Sequence, residues 1–304
     1  MSIIGKQYRT FIQKIYRIRQ KQIDLYNISL VFAILYLYIS VHREIYSMKK
    51  TAVMFILLAG ALFTLYAQDA EQIVRSSRDR IKADTVSTRS RMVIRAKDGS
   101  TSERLIDQYS KDGPKGSRTV IVFQRPETVA GTRFLTMENP GGTDDRWIFL
   151  PSLGKVRRLA ASEGSGNFMG TDFSYDDISS ASRGVSLDTH TMLREETLNG
   201  SSCYVIQSVP KDTSYQYSKM IIWITKDTNI TIKIEMYDKR NTLVKSAEMS
   251  GLKDVQGRLT VTETKIATIA AGTSTTIYMD IIKYDDPIPE AVFTTAYLET
   301  GRAR

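Results

Sequence analysis

From residue 91 onward, turn-forming residues interrupt the chain at short intervals, and this punctuation constrains the fold more than any other feature. Segments rich in β-branched and aromatic residues at 91–97, 104–109, 118–124, 131–138 and 146–150 are separated by signals such as Asp98-Gly99, Asp112-Gly113-Pro114 and Pro140-Gly141-Gly142. A second series covers 203–209, 219–225, 231–237, 242–249, 258–266 and 275–284, with the short turns 226–229 and 238–241 inside it. Short connections make consecutive strands hairpin partners, so the spacing predicts an antiparallel meander of about eleven strands. A twisted sheet of that width either divides into two packed sheets or curls toward a barrel. The fold class is mainly β.

Two strands refine this picture. In 220–224 (Met, Ile, Ile, Trp, Ile) and 147–150 (Trp, Ile, Phe, Leu) the apolar/polar alternation fails, so both faces of the sheet meet something apolar there. Helices over one face and a cavity on the other would satisfy this, and so would a sandwich core. The apolar spacing of Ala70, Ile73, Val74, Ser77 and Ile81 predicts one amphipathic helix ahead of the strands, and 289–300 reads as a short closing helix.

Net charge has to be divided before it is interpreted. Residues 1–67 hold 9 of the 42 Lys/Arg and 2 of the 33 Asp/Glu, so 68–304 carries 33 against 31 and is almost neutral. A protein gripping a phosphodiester backbone draws on a large basic surplus, which argues against a nucleic-acid partner.

The excess charge belongs to the leader. From Met48 the chain runs from basic Lys49-Lys50 through an uncharged stretch, 51–66, to small Ala67 and polar Gln68, the layout of a secretory signal peptide over 48–67. An uncleaved anchor is the alternative, since the apolar run is nearly long enough to cross a bilayer. No Cys stands near its end to accept a lipid anchor, so the expected product is an exported, soluble periplasmic protein whose single domain covers 68–304. Residues 1–47, with a basic segment and a second uncharged run at 25–41, read as an over-extended reading frame or a membrane segment.

Catalytic and metal signatures are weak. One Cys and two His cannot supply a four-ligand Cys/His zinc site, and neither a metal nor a cofactor is expected. Cys203 lies in a strand-like run and reads as a small core residue, and His190 has no serine elbow nearby. Gly164, Gly166 and Gly170 match neither nucleotide fingerprint. The pairs Asp144/Asp145 and Asp176/Asp177 raise a glycosidase reading, but adjacent acids usually open a turn or a helix. Lys155, Arg157 and Arg158 read as a solvated strand face.

The most distinctive stretch runs Asp145-Arg146-Trp147-Ile148-Phe149-Leu150-Pro151-Ser152-Leu153-Gly154-Lys155 and continues through Gly164-Ser165-Gly166-Asn167-Phe168-Met169-Gly170-Thr171-Asp172-Phe173-Ser174-Tyr175-Asp176-Asp177-Ile178. With 123–126 and Gly131-Thr132-Arg133-Phe134-Leu135 before it, this resembles the outer-membrane lipoprotein-sorting family, whose folds are similar to the LolA-like periplasmic lipoprotein carrier. The resemblance is specific over 123–178 and extends more weakly across the body. It implies an unclosed antiparallel β-barrel around a hydrophobic cavity, an N-terminal helix, short lid helices and no enzymatic activity. The implied function is to hold lipoprotein or lipid acyl chains and pass them between membranes, with an inner-membrane exporter and an outer-membrane acceptor as partners. The alternative is an accessory or interaction protein on the same scaffold. The Arg that fixes the lid in the better-known carriers has no recognisable counterpart here. The candidate cavity lining is Trp147, Phe149, Phe168, Met169, Phe173, Tyr175 and Trp223.

Overall fold

The computed structural model describes residues 70–140, 142–179 and 184–303. The expected signal peptide at 48–67 and the segment 1–47 lie outside them. Helix α1 (70–78) precedes β1 (Thr85–Arg95), β2 (Thr101–Lys111), β3 (Arg118–Arg125), β4 (Arg133–Met137), β5 (Asp145–Leu150) and β6 (Lys155–Leu159). A connection containing the short helix α2 (Tyr175–Ser179) leads to β7 (Asp188–Leu198) and β8 (Ser201–Pro210). Then follow β9 (Lys219–Thr225), β10 (Thr231–Tyr237), β11 (Leu243–Val255), β12 (Arg258–Thr268), β13 (Thr273–Tyr284) and α3 (Thr295–Thr300).

All thirteen strands form one antiparallel sheet in the order β6-β5-β4-β3-β2-β1-β13-β12-β11-β10-β9-β8-β7. The chain starts in the middle, works outward to β6, crosses to β7 at the far edge, and works back until β13 pairs with β1. The sheet is unclosed, and a sandwich is excluded. The expectation of eleven strands falls short by β6 and β7, which are the two edges. Edge strands are kept polar to discourage pairing with other chains, and β6 (Lys155-Val156-Arg157-Arg158-Leu159) and β7, with Arg194, Glu195 and Glu196, lack the apolar signal used to find strands. Register shifts at Arg89/Ser90, Leu105/Ile106 and Met192/Arg194 are bulges of the kind that bend and coil a sheet.

The sheet curls so that one apolar face is concave. Met92 of β1, Phe123 of β3, Phe134 of β4, Met236 of β10 and Ile266 of β12 belong to a single buried cluster. Helix α1 covers the neighbouring part of that face, placing Ala70 and Val74 against Ile206, Ile222 and Ile224, as its apolar spacing requires. On the opposite face Val292, Phe293 and Leu298 of the C-terminal segment pack on Val120, Val122 and Leu135. The closing helix expected over 289–300 is a 3-10 turn, Glu290–Phe293, followed by α3. Two-sided burial explains the lost alternation of β9: Ile222 and Ile224 face α1, while Ile221 and Trp223 join Cys203 and Val205 in a separate cluster.

Candidate functional site

Topology determines what fills the concave face. β6 and β7 are opposite edges, so the connection between them has to span the open side of the sheet. The described part of this crossing segment, 160–179 and 184–187, enters the concavity instead of passing outside it. Phe168 is fully buried and Phe173 nearly so, both within the main cluster, with Met169, Tyr175 and Ile178 packed against them. The Phe168 ring lies 5.3 Å from Phe134 and 5.7 Å from Phe123, and meets Tyr175 at 5.6 Å and 89°, an edge-to-face contact.

The local sequence makes a compact hairpin of this segment. Asn167 and Ser174 form an antiparallel bridge, and Met169 (φ 52°) and Gly170 (φ 73°) turn the chain through the left-handed region. Glycine adopts that conformation freely, whereas Met169 does so at a steric cost offset by its contacts. The adjacent acids open α2 as sequence reading expects, and Ser174 and Asp177 cap each other: Ser174 N donates to Asp177 Oδ2 at 2.8 Å and Asp177 N to Ser174 Oγ at 3.0 Å.

Polar groups of the sheet fasten the hairpin at several points. Asp172 accepts from the hydroxyls of Thr268 (2.6 Å), Thr275 (2.7 Å) and Thr273. Arg104 of β2 donates from its guanidinium to the Met169 carbonyl, and burial pulls its pKa below the usual value. Arg146 of β5 pairs with Asp176 at 2.7 Å, and Lys245 of β11 pairs with Asp177 at 2.7 Å. Tyr217 donates its hydroxyl to the same Asp177 at 2.8 Å; burial first, then that carboxylate, push its pKa above the usual phenol value. A cleft of about 800 Å³ is lined by Arg146 and Asp176 together with Asn139, Asp144, Tyr215 and Gln216.

The seven candidate residues do not form one site. Phe168, Met169, Phe173 and Tyr175 come together in the concavity, but as part of the filling and not as its wall. Trp147 and Phe149 lie on the opposite face beside Phe293 and Leu298. Trp223 packs with Cys203 and Val205, donates its indole N–H to Glu196 and has Lys233 Nζ 4.6 Å above its ring. The reason is parity: along β5, Ile148 joins the concave cluster, so Trp147 and Phe149 face away. Arg104, Arg146, Asp172, Asp177 and Lys245 were not legible as a group. The Asp176/Asp177 pair was the available signal, but its partners come from distant strands.

The remaining candidates have structural partners. His190 is buried, with Nε2 donating to the Val185 carbonyl at 2.9 Å and Nδ1 hydrogen-bonded to Ser208 Oγ at 2.7 Å. Cys203 is buried in the core, and burial raises its thiol pKa, which disfavours the nucleophilic thiolate. On exposed β6, Arg157 pairs with Glu163 and Arg158 with Asp145. Among the described residues no cluster of His, Cys, Asp and Glu has metal-binding geometry, and no helix is long and apolar enough to cross a membrane.

Comparison with known proteins places this geometry. A family model described as "Uncharacterized protein" matches residues 115–300. No curated protein matches the chain. Among solved structures, an outer membrane lipoprotein-sorting protein domain from Vibrio parahaemolyticus superposes with a TM-score of 0.73 at 24% identity, over 77% of this chain and 99% of that one. A DUF1329 family protein from Desulfovibrio piger gives 0.72 at 28% identity over the same shares, 77% and 99%. A LolA superfamily protein from Nitrosomonas europaea gives 0.62 at 20% identity, over 75% and 98%.

Proposed function

Starting from the premise that the chain belongs to the family whose model spans residues 115–300, and has the fold of the lipoprotein-sorting and LolA superfamily structures, we propose that it is an exported lipid carrier. Its concave face takes up acyl chains of a lipid or lipoprotein and gives them up at another membrane, without making or breaking a bond. The compartment this requires is the periplasm, with a membrane exporter as donor and an outer-membrane component as acceptor.

One observation carries this reading. The apolar concavity is filled by a hairpin that belongs to none of the thirteen strands and is held by side-chain bonds, so it can leave while the sheet stays paired. Hydrocarbon entering this face replaces Phe168, Phe173 and their neighbours. Burying a chain of about fifteen carbons is favourable by on the order of 10 kcal/mol, a gain that would make release slow. Exchange against the hairpin's own aromatic side chains offsets much of that gain, so uptake and release both stay accessible.

The test is native mass spectrometry of protein purified without detergent, together with titration of a fluorescent fatty-acid probe. Co-purified acylated material and saturable, one-to-one probe binding are expected. An empty protein that ignores the probe overturns the carrier and leaves an interaction module on the same scaffold.

A further inference from the structure

Two of the hairpin's carboxylates reach largely buried cations that belong to the sheet. Arg146 and Asp176 side chains are 10% and 14% exposed, and Lys245 and Asp177 are 12% and 7% exposed. β5 and β11 have six strands between them, yet their cations meet adjacent residues of one short helix. The carboxylates move with the crossing segment, whereas the cations are fixed in strands. Any cargo that displaces the hairpin therefore strips Lys245 of Asp177, its ion-pair partner among the described residues, and Arg146 of Asp176. Asp144, 3.9 Å from Arg146 Nη2, stays behind and compensates only in part. Arg104 simultaneously loses the Met169 carbonyl. A buried cation without a counter-charge is strongly unfavourable, so a neutral cargo would have to bear that cost.

Resting on the carrier reading, we infer that the cargo is an anionic amphiphile, whose negatively charged head group is received by Arg146 and Lys245 in place of Asp176 and Asp177. The hairpin is thus an internal analogue of the cargo: aromatic side chains stand in for hydrocarbon, and the Asp176 and Asp177 carboxylates for the head group. Two further features fit. Arg146 Nε is buried without a hydrogen-bond partner among the described residues, leaving one donor for another anionic oxygen. The cleft that Arg146 and Asp176 help to line gives a head group an approach to the first of these cations.

The test holds the hydrocarbon constant and varies the head. Dodecyl phosphate, dodecanol and dodecyltrimethylammonium compete for a fluorescent acyl probe bound to the full chain, with inorganic phosphate as a fourth competitor. Dodecyl phosphate is expected to compete at about a tenfold lower concentration than dodecanol, the ammonium compound to be weakest, and inorganic phosphate to have no effect. In the paired variant Lys245→Met/Asp177→Asn, checked for folding by circular dichroism and melting, the phosphate-to-alcohol preference is expected to shrink to about threefold or less. The wild-type comparison stands even if that variant does not fold. Equal binding of dodecyl phosphate and dodecanol overturns the head-group inference and leaves the carrier intact. Displacement by inorganic phosphate alone also overturns it, in favour of a free-anion site. Failure of every acyl compound and of the probe itself overturns the carrier reading, and this inference with it.

Discussion

Asp172 and Thr275 exchange two hydrogen bonds: the Thr275 hydroxyl accepts from Asp172 N at 3.0 Å and donates to Asp172 Oδ2 at 2.7 Å. Both residues are buried, so this reciprocal pair joins the tip of the crossing hairpin to β13 where water cannot substitute. Thr275→Val keeps the shape and removes both bonds, leaving a buried carboxylate and a backbone N–H with fewer partners. A loss of about 1–3 kcal/mol is expected in urea unfolding, with faster hydrogen exchange at 168–174.

The two sides of the sheet separate by mutation. Phe168→Ala removes the central ring of the filling and is expected to cost about 3–5 kcal/mol if the cavity does not collapse, while raising affinity for an acyl probe by opening its space. Trp223→Phe, on the opposite face, loses the bond to Glu196 but is expected to leave probe affinity within about twofold. A large affinity loss in folded Trp223→Phe would place the binding face elsewhere.

Acid should loosen the C-terminal segment through Glu290. The neighbouring Arg118, 2.6 Å away, and Lys111 hold its carboxyl at about 2, below the ordinary 4.5. A carboxyl depressed on folding contributes stability above its unfolded pKa, and that contribution is lost as pH falls from about 4.5 through about 2. Wild type and Glu290→Gln should therefore differ in melting temperature at neutral pH and converge near pH 2. A constant difference across the range would show that Glu290 acts by packing alone.

Helix α3 ends on Gly301 at φ 66°, where a Cβ would stand 2.7 Å from Arg133 Nη2. That guanidinium donates to the Leu298 carbonyl at 2.6 Å and lies 5.1 Å over the Phe149 ring. Gly301→Ala meets both the left-handed penalty and the displaced arginine, so a loss of about 1–2 kcal/mol is expected, measured by thermal unfolding. Gly154, also left-handed at φ 61° but with nothing within 4 Å of where a Cβ would stand, provides in Gly154→Ala the control with the backbone penalty alone.

Eleven strands were legible because each has β-rich composition between turn signals, properties that neighbours in sequence share. The helix at 70–78 was legible for the same reason, since Ala70 and Val74 recur at helical spacing. β7 was not, and β6 showed only as the solvated strand face of Lys155, Arg157 and Arg158, outside the eleven, because an edge strand is selected to look polar, and their identity as edges depends on where the other strands pair. Aromatic residues alone did not reveal which face they occupy: Trp147 and Phe168 look equally suited to line a cavity, and strand parity places one outside while the crossing segment carries the other within.

What the sequence determined by itself was thus local: strand, turn and helix follow from backbone preference and periodicity over a few residues. The tertiary structure decided which groups meet. Asp176 pairs with Arg146 across 30 residues, Asp177 with Lys245 across 68, and Asp172 with Thr275 across 103. Those separations mean nothing until a curled sheet brings β5, β11 and β13 around a segment that crosses from one edge to the other. Charge pairing inside a concavity depends on curvature and strand order, and neither is a property of any short stretch of chain.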